Sequence, residues 1–327
     1  MKEDEKEACI LLRGLLRDAV KKNNAEALLL SGGLDTSILA ALSNDENKNK
    51  KAFTVALAGT RAPDIGYAKK VAQKFRYEHH LIRVTESEAL GEIPLVIRAV
   101  RSFDPALPND LVIYTALKEA KKLGIKSVMT GDGADELFAG YSYMHELSLE
   151  ELNRYINALS KTMWFSSNKL GAFLSVEIKQ PYCDKEIVNF ALKLDPGLKI
   201  KERDGRRYGK WILRKTFEEE LDAVTWREKE PIEFGSGTTK LRDVIRRNIS
   251  DTEFERKKRE YEMDFMNKEH LFFYEIYKVV VGEIPKPKEE ENACPLCKAG
   301  LPKDKFHCSI CGFSYPIGRY IGKKAVE

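Results

Sequence analysis

The 327 residues predict an α/β protein: a parallel sheet with helices on both faces, then a helical region and a small cysteine-stapled ribbon. Three observations predict it. Short apolar runs alternate with helical periodicity from Leu28 to Thr130, the strand signal fades beyond about residue 140, and two CxxC pairs stand near the C-terminus. Alternation of strands and helices implies parallel pairing, with ligands at the carboxyl ends of the strands.

The elements follow in order. Ala8, Leu12, Leu15, Leu16 and Ala19 share one helical face and predict a helix beside the first strand. Leu28 to Leu30 read as a buried strand that stops at Ser31, Gly32 and Gly33, and a helix restarts at once with Asp35, Thr36 and Ser37. Small side chains at such a turn let backbone N–H groups approach an anion, and the hydroxyls and unpaired N–H groups of a first helical turn favour phosphate oxygens. Ala52 to Ala58 predict the next strand, Ile65, Ala68, Val71, Ala72 and Phe75 the inward face of a helix, and His80 to Val84 and Lys126 to Thr130 two further strands. His79 and His80 are expected to be structural, one facing the core and one a helix.

A second small-residue turn, Gly131 to Tyr141, holds three glycines and three acids in eleven residues. If both turns lie on one edge of the sheet, Asp35 and Asp135 can face a single Mg2+ bridging nucleotide phosphates, since hard oxygen ligands suit that ion. Asp132 can also cap the following helix, a role compatible with chemistry there. Leu152, Tyr155, Ile156 and Leu159, then Ile187, Phe190, Ala191 and Leu194, predict helices, and the proline-containing charge run 283–293 predicts an extended linker. The expected division is a nucleotide-binding core over 1–140, a helical part over 141–282, the linker, and a ribbon with a basic tail over 294–327. No internal repeat is visible.

Composition narrows the class. A hydrophobic content of 43% supports a sizeable core, no run of 18 apolar residues appears, and the opening Met1-Lys2-Glu3-Asp4-Glu5-Lys6-Glu7 is too charged for a secretory signal. A cytoplasmic protein without membrane contact is expected. The net charge of +4 equals the balance within 294–327, where Lys298, Lys303, Lys305, Arg319, Lys323 and Lys324 face Asp304 and Glu327. Four thiolates on one Zn2+ would reduce that tail to about +2, a weak signal for nucleic acid. Charged residues at 32% beside two glutamines, Gln73 and Gln180, suit a protein from a hot environment.

The loop lacks the lysine of GxxxxGK[ST] and the spacing of GxGxxG. Ser-Gly-Gly-Leu-Asp-Thr-Ser, 31–37, instead resembles the loop of ATP pyrophosphatases of the PP-loop type, which cleave ATP between its α and β phosphates. Taken with Gly131-Asp132-Gly133-Ala134-Asp135-Glu136-Leu137-Phe138-Ala139-Gly140-Tyr141, the chain resembles the synthetase half of the asparagine synthetase family, whose usual form is GEGSDELFGGY. Phe53-Thr54-Val55 resembles the strand that frames the adenine, His79-His80 stands in the same relative place, 176–184 resembles VEARVPFLD, and Trp226-Arg227-Glu228-Lys229-Glu230 matches WRxKE. The match covers roughly residues 8–245.

The resemblance implies a ligase in which a substrate carboxylate attacks the α phosphorus and an amine or ammonia displaces AMP to form an amide, with asparagine from aspartate the leading case. It implies ATP contacts at Leu30, Ser31, Gly32, Gly33, Asp35, Thr36, Ser37, Val55, Thr130 and Gly131, and Mg2+ at Asp35 and Asp135. Catalytic roles fall to Asp132, Lys229 and Lys210, the two lysines sitting where the family keeps cations near the phosphates and the reacting carbonyl. Read without the resemblance, either lysine alone fits a solvated face. The stretch Pro231 to Thr239 is short on helix formers and carries two glycines, so a mobile lid is expected there.

Three departures qualify the resemblance. Lys2 follows Met1 where glutamine-dependent members begin a glutaminase domain with cysteine, so nitrogen is expected from free ammonia, a separate glutaminase subunit or an amine already on the substrate. Asp132 replaces the usual glutamate and shortens its reach by one methylene. Phe103 to Leu111 replaces a stretch with an arginine suited to a carboxylate, and Asn109 lies at about that place.

Cys294, Cys297, Cys308 and Cys311 form CxxC-x10-CxxC, a pattern of closed tetrahedral Zn2+ sites, expected to be structural. A redox reading lacks a βαβ setting. Cys9 and Cys183 are expected in the core. The ribbon reads first as a docking or stabilising appendage and second as an RNA contact, because Phe306, Phe313, Tyr315 and Tyr320 stand among its cations. That leaves a second function open, a PP-loop enzyme that adenylates a tRNA base. A noncatalytic ATP-binding partner is disfavoured by the presence of Asp35, Asp135 and Lys229.

Overall fold

The computed structural model describes residues 3–43, 50–303 and 305–316. Helix α1 (Glu3–Lys22) buries Leu12, Leu16 and Ala19, as the helical spacing predicts, and adds Cys9 and Val20. The sheet has five strands in the order β3-β2-β1-β4-β5. They are β1 (Ala27–Leu29), β2 (Lys51–Leu57), β3 (Glu78–Val84), β4 (Ser127–Met129) and β5 (Glu177–Lys179). The pairs β1–β2, β1–β4 and β4–β5 are parallel, with Leu28 opposite both Ala52 and Met129.

Strand order reverses at β1. The chain steps outward through β2 to β3, then returns to the other side of β1 for β4 and β5. The carboxyl ends of β1 and β4 therefore form a topological switch point, the place where open α/β sheets leave a crevice. Both small-residue turns lie there, one leading into α2 (Leu34–Ser43) and the other into a short helix, Ala134–Leu137. Strand β5 falls inside the region expected to be helical. Three residues are too few to display alternation, and only pairing with β4 defines them.

The chain divides into two compact units, each gathered from three stretches. One comprises Met1–Val55, Pro63–Ile82 and Ala116–Glu230. Its core buries Leu12, Leu16, Leu30, Ile38, Phe138, Tyr182 and Phe217. Helix Leu149–Thr162 buries Leu152, Tyr155 and Ile156, and Lys185–Lys193 buries Ile187 and Ala191, on the faces the periodicity predicts. His79 bonds Thr54 Oγ1 at 2.8 Å, and His80 stacks on Phe53 with centroids 5.1 Å apart, so both histidines serve the sheet.

The second unit comprises Ala56–Ala62, Arg83–Thr115 and Pro231–Glu327. Phe103 is fully buried and meets His270, Tyr274 and Tyr277 at ring distances of 5.1–5.2 Å. The end of the expected linker, Glu291–Ala293, is a strand paired antiparallel with Gly300–Pro302. The expected lid is buried only along 235–238: Ile232–Gly235 is a helical turn, Ser236 and Thr238 are 1% exposed, and Leu57 N–H donates to the Ser236 carbonyl at 2.9 Å, while Ile232 and Phe234 stay exposed. Propensity fails there because buried hydroxyls and a strand-end hydrogen bond fix the turn. Among the described residues no helix is long and apolar enough to cross a membrane.

Candidate active site

The first turn is held from within and from below. Ser31 Oγ accepts from Gly33 N–H and pairs with Thr36 Oγ1, each at 3.2 Å, and Ser37 N–H closes the first helical bond to the Gly33 carbonyl at 3.1 Å. Gly32 has φ +69°, and a Cβ there would lie 2.3 Å from the Ala68 nitrogen, so only glycine lets the loop lie against that helix. Arg227 NH1 reaches the Ser31 carbonyl at 3.5 Å while its NH2 pairs with Asp64 at 2.5 Å and Glu230 at 2.8 Å. Burial works against the Arg227 charge, but the hydrogen bonds it donates to these carboxylates outweigh that and hold the guanidinium above its ordinary value.

The two acidic turns meet on one lysine. Lys210 Nζ lies 2.6 Å from Asp35 Oδ2 and 2.7 Å from Asp135 Oδ1, and Lys229 Nζ lies 2.8 Å from Asp135 Oδ2. Burial opposes ionisation of Asp135, yet Lys210 and then Lys229 hold its carboxyl well below the usual carboxylate range. Partial desolvation disfavours the Lys229 charge, although its side chain keeps 39% exposure, and Asp135 followed by Asp35 lifts it above the ordinary lysine value. A Cβ on Gly140 would stand 1.9 Å from Asp135 Oδ1 and 2.3 Å from Lys210 Cε, so that glycine makes the space through which the lysine reaches.

Around this pair, Arg214 ties the lysines to one frame: it is 4% exposed and donates to the carbonyls of Gly209, Thr225 and Arg227. Tyr182 O–H donates to the Asp35 carbonyl at 3.0 Å. Glu136 is raised above its ordinary value by burial and by the Asp135 charge, and accepts from Tyr141 O–H at 2.6 Å. Asp132 Oδ2 accepts from Thr130, Ser167 and Gln180. Leu30, Thr130 and Val55 are buried near the ends or within their strands, and Ser37 Oγ is buried with no hydrogen-bond partner among the described residues.

The structure thus gathers Ser31, Asp35, Thr36, Asp135, Lys210 and Lys229 at the ends of β1 and β4. Val55 lies one strand away, inside β2. Arg227, Arg214, Tyr182, Ser167 and Gln180 were not given site roles from the sequence, although Arg227, Tyr182 and Gln180 fall inside segments quoted for the resemblance. Asn109 holds a helix turn in the second unit, its Oδ1 accepting from Glu233 N–H at 2.9 Å.

Two carboxylates close enough to share one ammonium are close enough to share one divalent cation. Asp35 Oδ1 is buried and accepts no hydrogen bond among the described residues. The donor set fits Mg2+, which takes one or two carboxylates together with phosphate oxygens. In the second unit, the sulfur atoms of Cys294, Cys297, Cys308 and Cys311 all lie within 4.8 Å of one another, with Cys294–Cys311 at 3.6 Å and Cys297–Cys308 at 3.7 Å. A tetrahedron of 2.3 Å Zn–S bonds has edges of about 3.8 Å, so the four buried thiols fit a closed zinc site.

A parallel sheet with a phosphate-directed loop and paired acids at its switch point defines an ATP-dependent domain of the PP-loop type. The asparagine synthase family model matches residues 11–166 and 150–274, and the chain belongs to that family. A glutamine-hydrolysing asparagine synthetase from Triphysaria versicolor is 32% identical over 253 residues, which is 70% of this chain and 43% of that protein. Asparagine synthetase 2 from Lotus japonicus, also glutamine-hydrolysing, is 30% identical over 271 residues, covering 76% and 46%. The chain spans less than half the length of these curated relatives. A solved U34-tRNA thiolase, NcsA from Methanococcus maripaludis, overlaps 96% of this chain and 86% of its own at 15% identity, with a TM-score of 0.33 that is too low to bear on fold or function.

Proposed function

We propose that the chain is an AMP-forming carbon–nitrogen ligase that adenylates a small carboxylic acid and converts it to an amide, asparagine from aspartate being the leading case. The observation that carries this reading is the meeting of Asp35 and Asp135 on Lys210 at the switch point. A carboxylate oxygen of the substrate bonds to the α phosphorus as the α–β bridge breaks and pyrophosphate leaves. The nitrogen nucleophile then bonds to the acyl carbon, the acyl–oxygen bond breaks to release AMP, and the amine proton passes to Asp132. Mg2+ held by Asp35 and Asp135 would neutralise charge on the phosphates. Lys210 and Lys229 oppose the negative charge that builds on phosphate and oxyanion, where fixed cations act more strongly than in water.

The nitrogen in this reading is ammonia, free or released from glutamine, or an amine already on the substrate. The cysteine site is structural in this reading, because four thiolates leave no position for substrate. Arg319, Tyr320, Lys323 and Lys324, on which an RNA contact would lean, lie outside the described residues. The test is pyrophosphate release from Mg-ATP with aspartate plus ammonium, with a panel of other acids, and with bulk tRNA. Release is expected to require an acid and to vanish in Asp35→Ala. Release with RNA alone would overturn the ligase reading in favour of base adenylation.

A further inference from the structure

We propose that Gln180 and Ser167 are positioning residues that pin one oxygen of Asp132, leaving Oδ1 as its single reacting atom. The inference rests on the ligase reading above. Three donors from three elements converge on Oδ2: Thr130 Oγ1 at the end of β4 at 2.6 Å, Ser167 Oγ in the first turn of helix Ser166–Leu174 at 2.6 Å, and Gln180 Nε2 just after β5 at 2.8 Å. Among the described residues no donor reaches Oδ1.

The arrangement is over-determined. Gln180 Nε2 also lies 3.2 Å from Ser167 Oγ, and Gln180 Oε1 accepts from Asn168 Nδ2 at 3.3 Å, so both ends of the amide are engaged and its orientation is set. Thr130 and Ser167 are 4% and 1% exposed, which keeps water from replacing them. A carboxylate oxygen offers about two lone-pair positions, so three donors fill Oδ2. Rotating the carboxylate would break all three bonds at once. The side chain is therefore fixed, and any proton it takes or ammonium it binds must be met at Oδ1.

Two departures from the family segments now connect. Asp132 stands where GEGSDELFGGY has glutamate, and Gln180 stands where VEARVPFLD has valine. The shorter acid occurs here with a polar neighbour that bonds it. A longer acid would drive its carboxylate into the Gln180 amide, whereas valine would leave the shorter acid without its third donor.

The test is a cycle of Gln180→Val, Asp132→Glu and the double variant, with kcat, the KM values for acid and ATP, and thermal unfolding measured for each. Each single change is expected to lower kcat by about tenfold to a hundredfold with the KM for ATP unchanged, because misplacement of a reacting group acts on the chemical step. The double variant is expected to recover most of that loss, with no matching recovery in thermal stability. Ser167→Ala, a smaller change, should lower kcat in the same direction and covers the case in which Gln180→Val fails to fold. Additive losses in kcat, or coupling confined to stability, would overturn the positioning role alone. A wild-type chain that releases no pyrophosphate with any acid would overturn the ligase reading and this inference together.

Discussion

At the scale of single residues, charge placement decides what the site can do. Asp135 is half-buried between two ammonium groups, and its carboxyl is held far below its ordinary value, so the stabilisation it gives is fully present at neutral pH and is lost only as pH falls below about 4. Lys199 is the opposite case. It is fully buried, its Nζ has no hydrogen-bond partner among the described residues, and burial pushes it down to about 8. Below that pH both folded and unfolded chains carry the proton, and the folded state bears the unpaired charge at a cost of about 3 kcal/mol. Stability should rise between about pH 8 and 10.5 as only the unfolded chain stays protonated. Lys199→Met is therefore expected to raise the free energy of urea unfolding at pH 7 by about 1–3 kcal/mol, with the gain shrinking toward pH 10.5. Destabilisation at both pH values would reveal a partner for the ammonium. The motif residues Asp35, Asp135 and Lys229 were legible because their spacing in the chain is local; the seat of Lys210 between two carboxylates was not, since it depends on the gap at Gly140 and on turns far apart in sequence.

At the scale of elements, the ribbon is the clearest case of a local motif with a non-local consequence. CxxC-x10-CxxC predicts the four-sulfur cluster, and the thiol spacing fits the prediction. Nothing in that motif says where the knuckle rests. In the structure the Ile310 carbonyl accepts from Phe103 N–H at 2.7 Å and from Ser102 Oγ at 3.1 Å, and His307 Nε2 lies 3.4 Å from Asp104. A Cβ on Gly312 would come within 2.5 Å of that aspartate, which shows how closely the knuckle approaches. Metal binding and folding are coupled in such modules. If the cluster holds Zn2+ as proposed, Cys294→Ser or a chelator is expected to lower the melting temperature and to raise amide exchange both around the cysteine cluster and around Ser102–Asp104, while acid-dependent pyrophosphate release persists at temperatures where the protein stays folded. Unchanged exchange at Ser102–Asp104 would contradict the anchoring role. Strand β5 and the packed turn after Lys229 escaped sequence reading for the same reason: three-residue strands and glycine-rich turns take their form from neighbours rather than from propensity.

At the scale of the whole molecule, each compact unit is assembled from three separated stretches, an arrangement that hydrophobic periodicity along the chain does not encode. What periodicity did encode was the sequence of strands and helices, and from it the parallel sheet and the place of its switch point. The functional account depends on that placement, because it brings the loop after β1 and the turn after β4 to the same lysine. In the proposed reaction a substrate carboxylate attacks the α phosphorus of ATP. The most direct measurement uses an acid labelled with oxygen-18 in its carboxylate, Mg-ATP and ammonium, and locates the label by mass spectrometry. One labelled oxygen is expected in AMP for each amide formed, and no transfer in Asp35→Ala. Pyrophosphate released with unlabelled AMP would contradict it.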